Sequence, residues 1–161
     1  MFYKPPRLWS GAIGLTIRDQ CLMLWWACVK YRDKWCQICG WTPPEPLLLE
    51  AHHVYFKSHG CWRVQFDTDF GVSLCNYEHQ HAEYAPHRSN EKFLEMIIPR
   101  IQPDERTAKI LKFLNNPIEL CSEIPDYHKI RARLREELKL RKEHFEIDKY
   151  NHDPIYRGRP V

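Results

Sequence analysis

No apolar run in this 161-residue chain is long enough to span a membrane, so no transmembrane helix is expected. The opening residues, MFYKPPRLWSGAIGL, place one cation before two prolines and follow them with only a short apolar patch. They lack the basic, apolar and cleavage regions of a secretory signal, which argues against export. No internal repeat is present, which removes repeat architectures, and nothing is low-complexity apart from a polar tail after Asn151. An excess of one charge is also missing. With 24 Lys and Arg against 21 Asp and Glu, the net charge of +3 is too small to identify a nucleic-acid partner by itself.

What the chain does have is seven cysteines, an odd number, two of them in CQIC at 36–39. That usage argues for metal or redox chemistry over a disulfide framework, and for a reducing, intracellular, cytoplasmic setting. The length suits one ordinary domain with a short appendage. Thr16 and Asp19 form a capping-box pattern, and Ile17, Cys21, Leu24, Trp25 and Cys28 recur at helical spacing, predicting a helix over 17–32. Trp25, Trp26 and Leu22 are expected in the core. Gly40 and three prolines then break the chain, and 47–56 reads as a strand carrying His52 and His53. A loop or hairpin is expected over 57–71, a short strand over 72–74, and helices over 76–84, 90–98, 103–115 and 125–146.

A C-x-x-C turn sets two thiolates at two vertices of a zinc tetrahedron. The redox alternative needs that pair between a strand and the start of a helix, whereas Cys36 and Cys39 follow a helix and precede Gly-Trp-Thr-Pro-Pro. Cys75 is positioned to be a third zinc ligand. A second C-x-x-C would need Cys at 78, where the chain has Glu78. The fourth ligand stays open among His79, Cys61, His81 and Glu78. Adjacent strand residues face opposite ways, so His52 and His53 serve different surroundings. His79 and Glu83, four apart on the expected helix, have the spacing at which two side chains grip one divalent ion. His87, past Pro86, reads as a solvated loop residue.

The span CQICGWTPPEPLLLEAHHVYFKS…FDTDFGVSLCNYEHQHAE resembles the HNH endonucleases, the ββα-metal fingers. The match covers about residues 32–95 and rests on ordered elements: a zinc knuckle, a strand ending in two histidines, a loop, Leu-Cys, and a helix with metal-binding histidines. The resemblance implies an α+β fold, a zinc-knuckle-stabilised ββα-metal core surrounded by helices. Residues 1–31 would be an N-terminal segment and helix packing on the core, 32–98 the HNH-like domain, 99–150 a helical extension and 151–161 a tail. It implies His53 as general base, His52, His79 and Glu83 as ligands of a catalytic Mg, Mn, Ni or Zn ion, and Cys36, Cys39 and Cys75 on a structural zinc. In the family the ion stabilises charge on the scissile phosphate and helps expel the 3′-oxygen while the base makes hydroxide. Such small members resemble phage, viral or mobile-element proteins. Two positions depart from the family pattern. Phe70 stands where the motif Asn belongs, with Asp69 and Asn76 nearby, and Glu78 stands where the last zinc cysteine belongs.

Double-stranded DNA is the partner that this resemblance implies. Lys57, Arg63 and Arg88 lie nearest the expected metal and are candidates to touch phosphate. Between Lys129 and Lys142, seven Lys or Arg stand against two Glu, a local balance of +5. Arg131, Arg135 and Lys139 are the candidate backbone contacts there, while Tyr127, Ile130, Leu134 and Leu138 repeat at helical spacing and should face inward. Two other readings keep the scaffold without the chemistry: a zinc-stabilised nucleic-acid-binding module, and a protein-interaction module with a purely structural metal.

Overall fold

The computed structural model describes residues 16–55, 62–116 and 125–151; Lys57, Cys61 and the Arg63 side chain lie outside the described residues. The first element, α1 (Ile17–Asp33), begins where both arms of the capping box close. The Thr16 hydroxyl accepts from the Asp19 N–H and the Asp19 carboxylate accepts from the Thr16 N–H, both at 3.2 Å. It ends at Lys34, whose left-handed φ of 63° lets its N–H reach back to the Lys30 carbonyl. A 3-10 turn at Pro46–Leu48 leads into β1 (Glu50–His53). A short helix α2 (Trp62–Gln65) and a 3-10 turn at Thr68–Phe70 lead into β2 (Gly71–Leu74). Helices α3 (Asn90–Ile97), α4 (Asp104–Asn115) and α5 (Tyr127–Asn151) follow. Helices around one small sheet make this an α+β arrangement, and no described helix is long and apolar enough to cross a membrane.

The two strands pair antiparallel with Glu50 opposite Leu74, Ala51 opposite Ser73, His52 opposite Val72 and His53 opposite Gly71. That register sorts the side chains onto two faces. Ala51, His53, Gly71 and Ser73 look toward α1, and the small size of Ala51, Gly71 and Ser73 lets the helix approach closely. A Cβ added at Gly71 would lie 2.5 Å from the Trp25 ring and 2.6 Å from Val29. Beneath this face a core of Leu24, Trp25, Cys28, Val29 and Phe66 is closed by Ile130, Leu134 and Leu138 of α5. The opposite face, with Glu50, His52, Val72 and Leu74, meets a second core built from Phe70, Phe93, Ile97, Ile110 and Phe113. Phe70 is part of this packing, 5.3 Å from Phe113 between ring centroids.

Trp26 departs from expectation: it is 44% exposed, while Trp25 one position earlier is fully buried. Consecutive helical residues point about 100° apart, so only one of the pair can face the sheet. Leu22 is partly buried against the α1–α5 core. The loop expected over 57–71 contains α2 and the 3-10 turn, and the helix expected over 76–84 is a single π-turn, Tyr77–His81.

Candidate metal centres

The strand geometry sends His52 to one side of β1 and His53 to the other. On its side, His52 converges with His79 and His87, and ligand nitrogens of the three all lie within 4.8 Å of one another. Their rings meet edge to face, 5.2 Å from His52 to His79 and 5.1 Å from His52 to His87, with Phe93 packed 5.4 Å from His52. His52 Nδ1 donates to the carbonyl of His53 at 2.7 Å, which leaves Nε2 with its lone pair. The Glu50 carboxylate accepts from His79 Nδ1, so the His79 lone pair is also on Nε2. That nitrogen is 2.9 Å from Nε2 of His87. Two ring nitrogens so close share either one proton or one cation, and about 3.3 Å would separate them at two vertices of a zinc tetrahedron.

Charge favours the neutral imidazoles that a metal requires. Burial, assisted by the neighbouring His79, lowers the His52 pKa to about 3. Burial also lowers His79, against the pull of Glu50. Burial works to raise the Glu50 carboxyl, but hydrogen bonding from Asn76 and the charge and hydrogen bond of His79 outweigh it and hold Glu50 below its ordinary value. Glu50 accepts from His79 and fixes its ring, as the carboxylate of a carboxylate–histidine–metal relay would when an ion is bound at Nε2. Three neutral imidazoles suit Zn, Cu, Fe or Ni and leave vertices for another ligand.

Glu83, expected as a ligand, stands elsewhere. The π-turn ends at His81 and Ala82 is extended, with φ −58° and ψ 149°, so Glu83 does not follow His79 around a regular helix. It is exposed and paired with Lys92 at 2.7 Å. His87 takes the third position, brought back by the turn through Pro86. Glu50 was also not anticipated, although it lies two residues before His52 on the same strand face, a period-two signal present in LEAHH.

His53, on the other side, is 8% exposed and stacks on Trp25 with centroids 3.9 Å apart and an interplanar angle of 9°. Its Nε2 donates to the carbonyl of Gln65 at 2.9 Å. Neither polar neighbour of Phe70 supplies this hold: Asp69 pairs with Lys109, and Asn76 donates to Glu50. Instead the loop itself is pinned, one carbonyl after another. Gln65 accepts from His53, Phe66 from Arg133, Asp67 from Trp25, Thr68 from Arg32, Asp69 from Arg106, Phe70 from the Val54 N–H, and Gly71 from both Arg32 and Arg106. Asp33 completes the clamp, accepting from Arg32 Nε and from the Ser73 N–H, each at 2.7 Å.

A second group, Cys36, Cys39 and Cys75, also fits an ion. The knuckle turns through Gly40, at φ 70°, with the Gly40 N–H on the Cys36 carbonyl at 2.7 Å and the Cys36 N–H on the Trp41 carbonyl at 2.8 Å. Cys39 Sγ and Cys75 Sγ are 3.7 Å apart, close to the edge of about 3.8 Å in a tetrahedron with zinc–sulfur bonds of about 2.3 Å. Burial pushes the Cys39 thiol up to about 12, and burial also raises Cys75. The Cys39 and Cys75 thiols therefore stay protonated unless a cation compensates them, and metal binding would reverse that. His79 belongs to the imidazole group, and His81 is exposed beside Tyr77, so neither joins the sulfurs.

Of the candidate phosphate contacts, Arg88 is exposed directly after His87, and Arg135 and Lys139 are exposed on α5. Arg131 is engaged within the fold, donating to the Gln20 side chain at 2.9 Å. Comparison of the chain with protein-family profiles, with curated proteins and with solved structures finds no match.

Proposed function

We propose that the chain is a metal-dependent endonuclease of HNH type that hydrolyses phosphodiester bonds in DNA, with β1, β2 and the turn bearing His79 as a ββα-metal core. One observation carries this reading: adjacent histidines on one strand are divided between two tasks, His52 converging with His79 and His87 while His53 is held on the opposite face. A divalent ion bound by the three imidazoles would supply positive charge to the scissile phosphate and the leaving 3′-oxygen. Because these ligands are neutral, the ion's charge is left uncancelled for an anionic substrate. His53 is the base that takes a proton from water, its ring oriented by Trp25 and the Gln65 carbonyl. In this reading Arg88, exposed directly after His87, receives a phosphate, and Lys57, Arg63, Arg135 and Lys139 are the further contacts with the duplex backbone.

A second reading, a nucleic-acid-binding or interaction module that keeps the metals without hydrolysis, has a specific observation in its favour. His53 is nearly buried and its Nε2 is already engaged by a carbonyl. Supercoiled plasmid incubated with Mg²⁺, Mn²⁺ or Ni²⁺ separates the two. The nuclease nicks or linearises it, and His53→Ala and His87→Ala each abolish the product. Divalent-ion binding with retained DNA affinity and no cutting at all establishes the module, and equal cutting by His53→Ala removes His53 as the base.

A further inference from the structure

The cysteine group has three sulfurs where a closed zinc site has four ligands. Among the described residues, His79 is drawn into the imidazole group and His81 is exposed. Glu78 is different. It is 5% exposed, and its Oε2 is buried with no hydrogen-bond partner. A carboxylate oxygen out of water without a donor is costly, and a cation is one of the few groups that compensates it.

The chain around Glu78 also repeats the chain around Cys39. Glu78 follows Cys75 by three residues, as Cys39 follows Cys36. Tyr84 lies within electrostatic reach of both the Glu78 carboxyl and Cys39. Glu78 therefore stands in the chain where a fourth thiolate would follow Cys75, with a buried carboxylate; only the three sulfurs lie within 4.8 Å of one another, so its side chain would close on a bound ion.

We propose that Glu78 is the fourth ligand of the cysteine centre, making a three-thiolate, one-carboxylate site for a divalent ion of the zinc class. The carboxylate carries the same charge as a fourth thiolate but is a harder donor, so the site holds Co²⁺ and Zn²⁺ with a ligand field distinct from that of four sulfurs. The imidazole group is left with all three of its histidines, and the two centres load independently.

This inference rests on the cysteine group binding a metal, and the test keeps the two claims apart. The full chain carrying His52→Ala and His87→Ala, which disables the imidazole group, is stripped under reducing conditions and titrated with Co²⁺ and then Zn²⁺. The parent binds one Co²⁺ with the visible absorption of a tetrahedral thiolate complex. Glu78→Gln shifts that absorption and weakens Zn²⁺ by about tenfold or more. Glu78→Cys moves the bands to longer wavelength and raises the sulfur charge-transfer intensity to that of four thiolates. Circular dichroism of each apo and loaded variant establishes that both fold. A parent that takes up no Co²⁺ refutes the cysteine centre itself. A parent that binds while Glu78→Gln keeps its spectrum and affinity refutes Glu78 as the ligand and leaves the three sulfurs in place.

Discussion

Replacing Glu50 by Gln tests the proposed imidazole centre without touching a ligand. The Glu50 carboxylate receives His79 Nδ1, Asn76 Nδ2 at 3.0 Å and Gln80 Nε2 at 3.4 Å, so three donors from the π-turn region converge on one β1 side chain. Gln preserves the volume but exchanges one accepting oxygen for an NH₂, which cannot accept from three donors. One of them is turned away, and the amide carries no charge to raise the basicity of His79. Losing an outer partner of a metal-bound histidine weakens binding by about 10- to 100-fold. That corresponds to about 1.4–2.8 kcal/mol. Calorimetric titration of Mn²⁺, Ni²⁺ or Zn²⁺ into protein whose cysteine centre is already filled reads the change directly. Stability of the metal-free protein should fall by less, about 1 kcal/mol, since Glu50 is at the edge of the sheet and partly hydrated. Affinity within twofold of the parent, whatever happens to the melting temperature, would show that Glu50 merely packs against His79 and that the relay is wrong.

Four further outcomes follow from the same geometry. Plasmid cutting should require His53 and His87, as set out above. Gly71→Ala should lower stability by about 1–3 kcal/mol in thermal melts, because the added methyl meets the Trp25 ring and Val29 and the Trp25 ring is itself trapped against His53; an unchanged melt would mean that α1 can slide away from the sheet. Metal-free protein should lose stability on acidification: His52 is held near a pKa of about 3 when folded and returns to about 6.5 when unfolded, so the unfolded chain binds the extra proton. The loss begins as pH falls below about 6.5, at up to about 1.4 kcal/mol per unit, and His52→Asn should flatten it in urea titrations. On α5, Arg135→Ala with Lys139→Ala should reduce the slope of log DNA affinity against log salt by up to about 2, whereas Arg131→Ala should act mainly on stability through its lost Gln20 contact.

Much of the fold is legible in the chain because its cues are local. The capping box at Thr16 and Asp19 sets where α1 starts, and Pro103 and the acidic residues after it mark the start of α4. Cys21, Leu24, Trp25 and Cys28, and later Ile130, Leu134 and Leu138, announce the two faces that meet in the α1–α5 core. The thiol centre was equally visible, since a C-x-x-C turn is defined within a few residues and Cys75 needed only a two-stranded ribbon to reach it. The imidazole centre was legible in two of its three members. The third was assigned to Glu83 on the assumption of a regular helix, and a π-turn with an abrupt exit at Ala82 removed the basis for that assignment.

The sequence by itself determined the longer helices, the two-stranded pairing segments, the cysteine knuckle and the division of His52 from His53, because each depends on spacing along a helix, turn or strand. Tertiary structure alone decided that His87 completes the imidazole set, that Glu50 orients His79, and that each carbonyl of the loop from Gln65 to Gly71 is claimed by a donor from elsewhere in the fold, Arg32 and Arg106 holding two apiece. It likewise decided which arginines hold the fold: Arg131 and Arg133 donate to Gln20 and Phe66, more than sixty residues away along the chain, while Arg135 is exposed on α5. Residue spacing carries no record of such pairings, since they form only when α1, the ribbon and α5 have closed on one another and each buried polar atom must find whatever partner the packing has brought within reach.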